Sequence, residues 1–232
     1  MDINEDRRLL RFSGAAWFEP MTKQTVTLVG CGGIGSFTSL ALARLGIERL
    51  FLFDPDIIED VNMAGQFYSE DQIGLNKVAA MAFTLGKYAP SCAVSSFPTR
   101  ATEETLFTKI TMTGLDSMAA RKDCFSAWYK ANKGKQNSLF VDGRMSATTA
   151  QVFAFRGCDE ASINKYQEKD LFTKEEADET VCSFKQTTYI SLIMAGLMAE
   201  TLVDYVTKTY VNKFYPLHYF KEYDSSAHSF VI

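Results

Sequence analysis

One stretch constrains this chain more than any other: an apolar strand, Val26-Thr-Leu-Val29, that turns through Gly30-Cys-Gly32-Gly-Ile-Gly35 into a helix over Ser36 to Leu45. The first glycine of a Gly-x-Gly-x-x-Gly run permits the tight turn. The second lets backbone approach a phosphate, and the third lets the helix pack close to the strand. Gly30, Gly32, Gly33, Ile34 and Gly35 are therefore the expected phosphate loop, where the unpaired amides of the first helical turn face an anion with the helix dipole behind them. Three glycines alone also suit an ordinary strand-to-helix turn, so the context matters. After the Gly46 stop, a second strand, Arg49-Leu-Phe-Leu-Phe53, ends in Asp54, 19 residues beyond Gly35. A doubly wound fold places at that point the carboxylate that accepts hydrogen bonds from ribose hydroxyls.

Strand and helix patterns continue to alternate through Lys77 to Tyr88, Val94 to Phe97, Glu103 to Thr108, Ile110 to Thr113, Ala119 to Lys130 and Leu139 to Asp142. Such alternation predicts an α/β, Rossmann-like fold with a mostly parallel sheet and helices on both faces. Residues 155–186 lose periodicity around a charged run, Glu168 to Glu179, and read as a crossover loop or a short solvated helix. A helix over Thr187 to Tyr210 follows, then antiparallel closing strands at Leu217 to Tyr223 and Ser229 to Ile232. A single domain over residues 1–232 is expected, preceded by an arm (1–22) that carries Arg7, Arg8 and Arg11 beside Leu9, Phe12 and Trp17.

A net charge of −4 gives no electrostatic footprint for nucleic acid. The charged opening residues read as no secretory signal, and the apolar tract Tyr189 to Ala199 reads as too short to span a bilayer. Five cysteines, an odd number without a Cys-x-x-Cys pair, suit reduced thiols in the cytoplasm. No structural zinc is expected, because a closed tetrahedral site needs four ligands.

Beyond Asp54 the segment Asp54-Pro-Asp56-Ile-Ile-Glu-Asp60-Val-Asn62-Met-Ala-Gly65-Gln66 resembles the Asp-x-Asp-x-Val-x-x-Ser-Asn-Leu-x-Arg-Gln signature of the ThiF/MoeB and ubiquitin-activating superfamily. Ile73-Gly-Leu-Asn-Lys77-Val, Thr113-Gly-Leu-Asp116-Ser-Met-Ala-Ala-Arg121 and Thr180-Val-Cys182, then Ala195-Gly196-x-x-Ala199-Glu200, are similar to further blocks of that family, in its order. The resemblance runs from about Lys23 to Tyr223. It implies ATP- and magnesium-dependent adenylation of the C-terminal carboxylate of a ubiquitin-like or sulfur-carrier protein or a peptide. Its implied partners include a second copy of the chain, as a homodimer, and no membrane.

A terminal carboxyl is already ionised at neutral pH, so its attack on the α-phosphorus needs no general base. It needs neutralised repulsion. By resemblance Lys77 is the phosphate cation and Asp116 the magnesium ligand. Asp54, with Asp56 beside it, is the ribose acceptor. Asn62 and Gln66 orient the triphosphate and the incoming tail, and Cys182 takes the activated carboxylate as a thioester. The family's Arg-Gln pair reads Gly65-Gln66 here, which removes a phosphate-contacting arginine. Arg144 in Val141-Asp-Gly-Arg-Met145 and Arg8 or Arg11 in the arm, the latter across a dimer, are candidate substitutes. A protein in which nothing substitutes is a scaffold that binds a ubiquitin-like partner without turnover. The glycine loop with Asp54 also leaves open an NAD-dependent oxidoreductase.

Overall fold

Eight strands form one sheet in the order β3-β2-β1-β4-β5-β6-β7-β8 in a computed structural model that describes residues 7–171 and 187–232. Strands β1 (Thr25–Val29), β2 (Arg49–Phe53), β3 (Ala93–Phe97), β4 (Ile110–Thr113) and β5 (Leu139–Met145) are parallel. Strands β6 (Thr149–Phe155), β7 (Phe220–Asp224) and β8 (Ser229–Val231) add antiparallel neighbours. This is the expected fold class. Strand order reverses between β1 and β4, and open α/β sheets bind ligands at such a switch point.

Alternation along the strands divides the interior in two. Val141 on β5 and Ala150, Val152 and Ala154 on β6 face helices α2 (Gly33–Arg44) and α6 (Thr188–Val206), and the same core continues to α3 (Lys77–Tyr88), which packs on α2 and β3. Phe140, Phe153 and Phe155 face the other side, where α4 (Met118–Asn132) contributes Phe125 and Trp128, and α5 (Glu160–Lys165) with the turn after it contributes Ile163 and Tyr166. That second core is almost wholly aromatic, with ring centroids 5.0–6.0 Å apart for pairs such as Phe155–Tyr166 and Phe125–Phe155. Its period-2 placement puts Asp142 and Arg144 on the aromatic side too, since they follow Phe140 at steps of two.

Four expectations change. Glu103 to Thr108 form no helix: the Thr102 N–H donates to the Thr105 hydroxyl and the Thr105 N–H returns to the Thr102 carbonyl, a local turn that competes with helical bonding. Leu106 is 93% exposed there, and Phe107 is the large apolar residue of the segment that packs, edge-on to Phe53 at 6.0 Å. Helix α2 begins at Gly33, three residues earlier than the side-chain pattern predicts. Strand β5 runs on through Gly143 to Met145, pairing with β6 as an antiparallel hairpin. Within the crossover stretch, α5 is not solvated all round, because Ile163 and Tyr166 are fully buried.

Helix α6 with its following turn covers residues 188–211, long and apolar enough by length and composition to cross a membrane. The apolar tract read from sequence was only its first half. Of the helix's most apolar window 61% is buried, against α2, β5 and β6, as in the core helix of a globular domain. Short turns at Arg7–Phe12 and Phe18–Met21, here α1, precede the sheet.

Candidate nucleotide site

The glycine loop is built for close backbone approach. Gly30 sits at φ +88°, and a Cβ there would lie 2.5 Å from the Gly114 carbonyl oxygen. A Cβ on Gly35 would lie 1.7 Å from the Gly30 carbonyl oxygen, so α2 can rest on the turn only with glycine at that place. Segment 66–68 braces the loop from outside: the Phe67 N–H donates to Ser36 Oγ (2.9 Å) and the Tyr68 hydroxyl to the Cys31 carbonyl (2.6 Å).

A cavity of about 450 Å³ opens over the carboxyl ends of β1, β2, β4 and β5. Its lining includes apolar residues, Val29, Phe53, Ala101, Leu115, Ala120 and Cys124, with Phe53 stacked on Phe97 at 4.5 Å. It also includes Gly32, Gly33, Asp54, Gln66, Lys77 and Asp116. Apolar side chains together with an anion-ready helix start suit a ligand that carries both a base and phosphates.

Asp54 closes β2 and is only 6% exposed. Its Oδ2 accepts from the Cys31 N–H (2.6 Å) and its Oδ1 from the Asp56 N–H (2.8 Å), which fixes the carboxylate at the cavity wall. Burial pushes its carboxyl above the ordinary value of 3.8, while the two N–H donors and Lys77 pull the other way. A carboxyl raised in the fold binds its proton more tightly there than in the unfolded chain, so its contribution to stability is greatest below pH 3.8 and falls as pH climbs to the raised value. The stability difference between Asp54→Asn and wild type is expected to shift in favour of the variant from pH 3.5 to pH 6. Urea denaturation at the two pH values checks this, and a difference that does not move would refute it.

Lys77 opens α3 and is 7% exposed, its Nζ 3.0 Å from Asp56 Oδ2. It gets there because the chain folds back between residues 56 and 77: Ile57 bridges Asn76, and the Lys77 N–H donates to the Asp56 carbonyl at 3.0 Å. Gln66 turns into the cavity with a buried Oε1 that has no hydrogen-bond partner among the described residues. Asp116 is exposed at the mouth, beyond β4.

Three residues lie elsewhere. Asn62 is not part of the cavity wall: its Oδ1 accepts from the Glu59 N–H (2.9 Å), making it a turn cap. Arg11 is exposed in the 7–12 turn, whose Leu9 packs at Gly46 beyond the far end of α2, away from its own chain's cavity. Arg8 belongs to the same turn. Cys182 and Lys185 lie outside the described residues.

Arg144 does line the cavity, within a cluster that the sequence did not reveal as a unit. Asp142 is fully buried. Its Oδ1 pairs with Arg121 and accepts from the Thr113 hydroxyl (2.8 Å), and its Oδ2 accepts from Arg144 Nε (2.7 Å) and the Tyr166 hydroxyl (3.0 Å). Burial and the neighbouring Asp142 hold the Tyr166 hydroxyl protonated, well above the usual tyrosine range. The available signal was a charged residue inside the apolar strand Leu139-Phe-Val-Asp142, which must have a buried partner. Thr99, Arg100 and Leu115 also line the cavity, and no sequence pattern marked them. Among the described residues no three His, Cys, Asp or Glu side chains are grouped for a metal ion.

These features define a Rossmann-like α/β protein with a phosphate-type loop at its topological switch point. The chain belongs to the ThiF family, whose pattern it matches over residues 5–231. Ubiquitin-like modifier-activating enzyme 5 of Drosophila sechellia is 43% identical over 99 residues, which are 41% of this chain and 24% of that protein. The enzyme of the same name in Bombyx mori is 41% identical over 80 residues, 34% of this chain and 20% of that one. Among solved structures, E. coli MccB with MccA-N7isoASN superposes with a TM-score of 0.71 at 19% identity, covering 93% of this chain and 65% of that one. PaaA superposes with a TM-score of 0.68 at 18% identity, with the same coverage. The match thus spans about a quarter of the curated relatives and just under two thirds of the solved chains, and the structural likeness is one of fold.

Proposed function

We propose that the protein is an ATP-dependent adenylyltransferase that activates the C-terminal carboxylate of a ubiquitin-like protein, a sulfur-carrier protein or a peptide. The observation that carries this reading is the single cavity in which the glycine loop, Asp54, Gln66, Lys77 and Asp116 meet. Relatives named as ubiquitin-like modifier-activating enzymes, and a fold shared with a structure titled MccB + ATP, support it.

In this reading the apolar side chains of the cavity pack on adenine, Asp54 accepts from the ribose, and the amides of Gly32 to Ile34 lie under the phosphates. The substrate carboxylate forms a bond to the α-phosphorus as the bond to the β-phosphate oxygen breaks, and pyrophosphate leaves. Lys77 Nζ, poised on Asp56, meets the phosphate charge. Gln66, whose Oε1 has no hydrogen-bond partner among the described residues, orients the nucleotide or the tail. The exposed carboxylate of Asp116 fits magnesium, which is usually held by one or two carboxylates with substrate phosphates. A magnesium ion held there would supply charge neutralisation for the leaving pyrophosphate. Transfer of the acyl group to the Cys182 thiolate, in which the new carbon–sulfur bond forms as the acyl–phosphate bond breaks and AMP leaves, assembly as a homodimer with Arg11 reaching a neighbour's site, and a cytoplasmic location belong to the same proposal.

Gly65, which stands where relatives carry arginine, favours one second reading, a non-catalytic scaffold. Exchange of labelled pyrophosphate into ATP in the presence of candidate carriers tests both. Carrier-dependent exchange is the expected result, whereas carrier binding without exchange makes the protein a scaffold. Greater thermal stabilisation by NAD than by ATP with magnesium would instead favour an oxidoreductase.

A further inference from the structure

The cations that line the cavity are Lys77, Arg100, Arg121 and Arg144, the last two joined to Asp142 at the end of β5. Lys77 is matched by Asp56, and both Asp54 and Asp116 are acids facing a ligand that would be strongly anionic. Asp142 is one carboxylate shared by the two guanidinium groups of Arg121 and Arg144. Arg121 also donates to the carbonyls of Leu115 and Gly143 and serves the backbone.

Arg144 is held differently. Its Nε is on Asp142 Oδ2, its guanidinium lies 4.4 Å over the Phe153 ring and 5.7 Å from the Tyr166 ring centroid, and it lines the cavity. Five N–H donors in a rigid fork allow one guanidinium to keep a carboxylate on one edge and serve an oxyanion on another. Its position on β5 completes the geometry. The preceding residue, Gly143, faces the other side of the sheet, where a Cβ would lie 2.8 Å from Met198 Sδ and 3.4 Å from Ile34 Cγ2, so the β5 backbone passes beside the first turn of α2.

We propose that Arg144 is a catalytic cation of this site, one that contacts the nucleotide's phosphates, with Asp142 and Tyr166 as the positioning residues that aim it. The assignment rests on the nucleotide reading above. It also bears on the scaffold alternative, because a cation delivered from β5 makes an arginine at position 65 unnecessary. Asp142 fixes the near edge of the fork, the Phe153 ring its plane, and the Tyr166 hydroxyl the second lone pair of Asp142 Oδ2.

Calorimetric titration of the full chain with adenosine, AMP, ADP and Mg·ATP separates a phosphate contact from a structural one. Arg144→Gln is expected to weaken Mg·ATP by about tenfold or more, the scale of a lost charge-assisted hydrogen bond, and to leave adenosine within about twofold. Arg144→Lys keeps a charge on Asp142 but loses the fork, and its ATP affinity is expected to fall between those of wild type and Arg144→Gln. Tyr166→Phe keeps the ring and is expected to weaken ATP in the same direction by a smaller factor. Two results overturn the assignment alone: Arg144→Gln binding every ligand as wild type does, or both Arg144 variants losing adenosine by the same factor as ATP. Wild-type protein that binds neither adenosine nor Mg·ATP overturns the nucleotide reading and takes this assignment with it.

Discussion

Replacement of Asp142 by alanine is expected to cost about 3–5 kcal/mol of unfolding free energy, the scale for removing one partner of a buried ion pair. The side chains of Arg121 and Arg144 are only 7% and 13% exposed, and Asp142 is wholly buried between them. Without the carboxylate, two guanidinium groups face each other in a low-dielectric aromatic core and two hydroxyls, of Thr113 and Tyr166, lose their acceptor. Arginine cannot escape by giving up its proton, so the cost falls on the fold. Denaturant midpoints at constant slope measure it. A loss below about 1 kcal/mol would mean that solvent reaches the cluster and that the pair counts as a surface pair. Adding Arg144→Met is expected to recover part of the loss, because one of the two stranded charges goes with it.

How much of this was legible beforehand varied with the kind of constraint. The glycine loop, Asp54 at the end of β2, and the strand-helix alternation were readable because each is a local pattern: only glycine fits at Gly35, and short apolar strands separated by helices, such as the largely buried β1 and β4, mark a parallel sheet. Lys77 and Asp116 were readable from a family resemblance, and the fold then brings both to one cavity. What stayed hidden was long-range. Tyr166 sits in a charged stretch that reads as solvated, yet its ring lies among Phe125, Phe140 and Phe155, and its hydroxyl reaches Asp142 24 residues away. The capping bond of Asn62 was not legible either, because the tight 59–62 turn that uses its side chain locally is seen only in the fold. Glu103 to Thr108 stood in the place of a helix, but the segment packs through Phe107 alone of its two large apolar side chains, and the Thr105 side chain takes a backbone bond instead.

Lys77 separates function from stability in the opposite sense. Its ion pair joins a buried ammonium to an Asp56 side chain that is 63% exposed, so Lys77→Ala leaves a carboxylate that water can solvate. The fold is expected to lose no more than about 1 kcal/mol, as for pairs with one foot in solvent. Activity depends on the charge itself: once a triphosphate enters the cavity, the ammonium has more negative charge to meet than Asp56 supplies, most of all while pyrophosphate is leaving. Removing one such preorganised stabilising group costs about 100- to 1000-fold in kcat, or roughly 2.7–4 kcal/mol. Pyrophosphate exchange by Lys77→Ala is therefore expected to fall by that factor while its urea midpoint stays near that of wild type. Lys77→Arg, which restores charge on a longer and planar group, is expected to recover only part of the rate, because the buried start of α3 fixes where the cation stands. Full exchange in Lys77→Ala would remove Lys77 from the chemistry and leave its pairing with Asp56 as a purely structural contact.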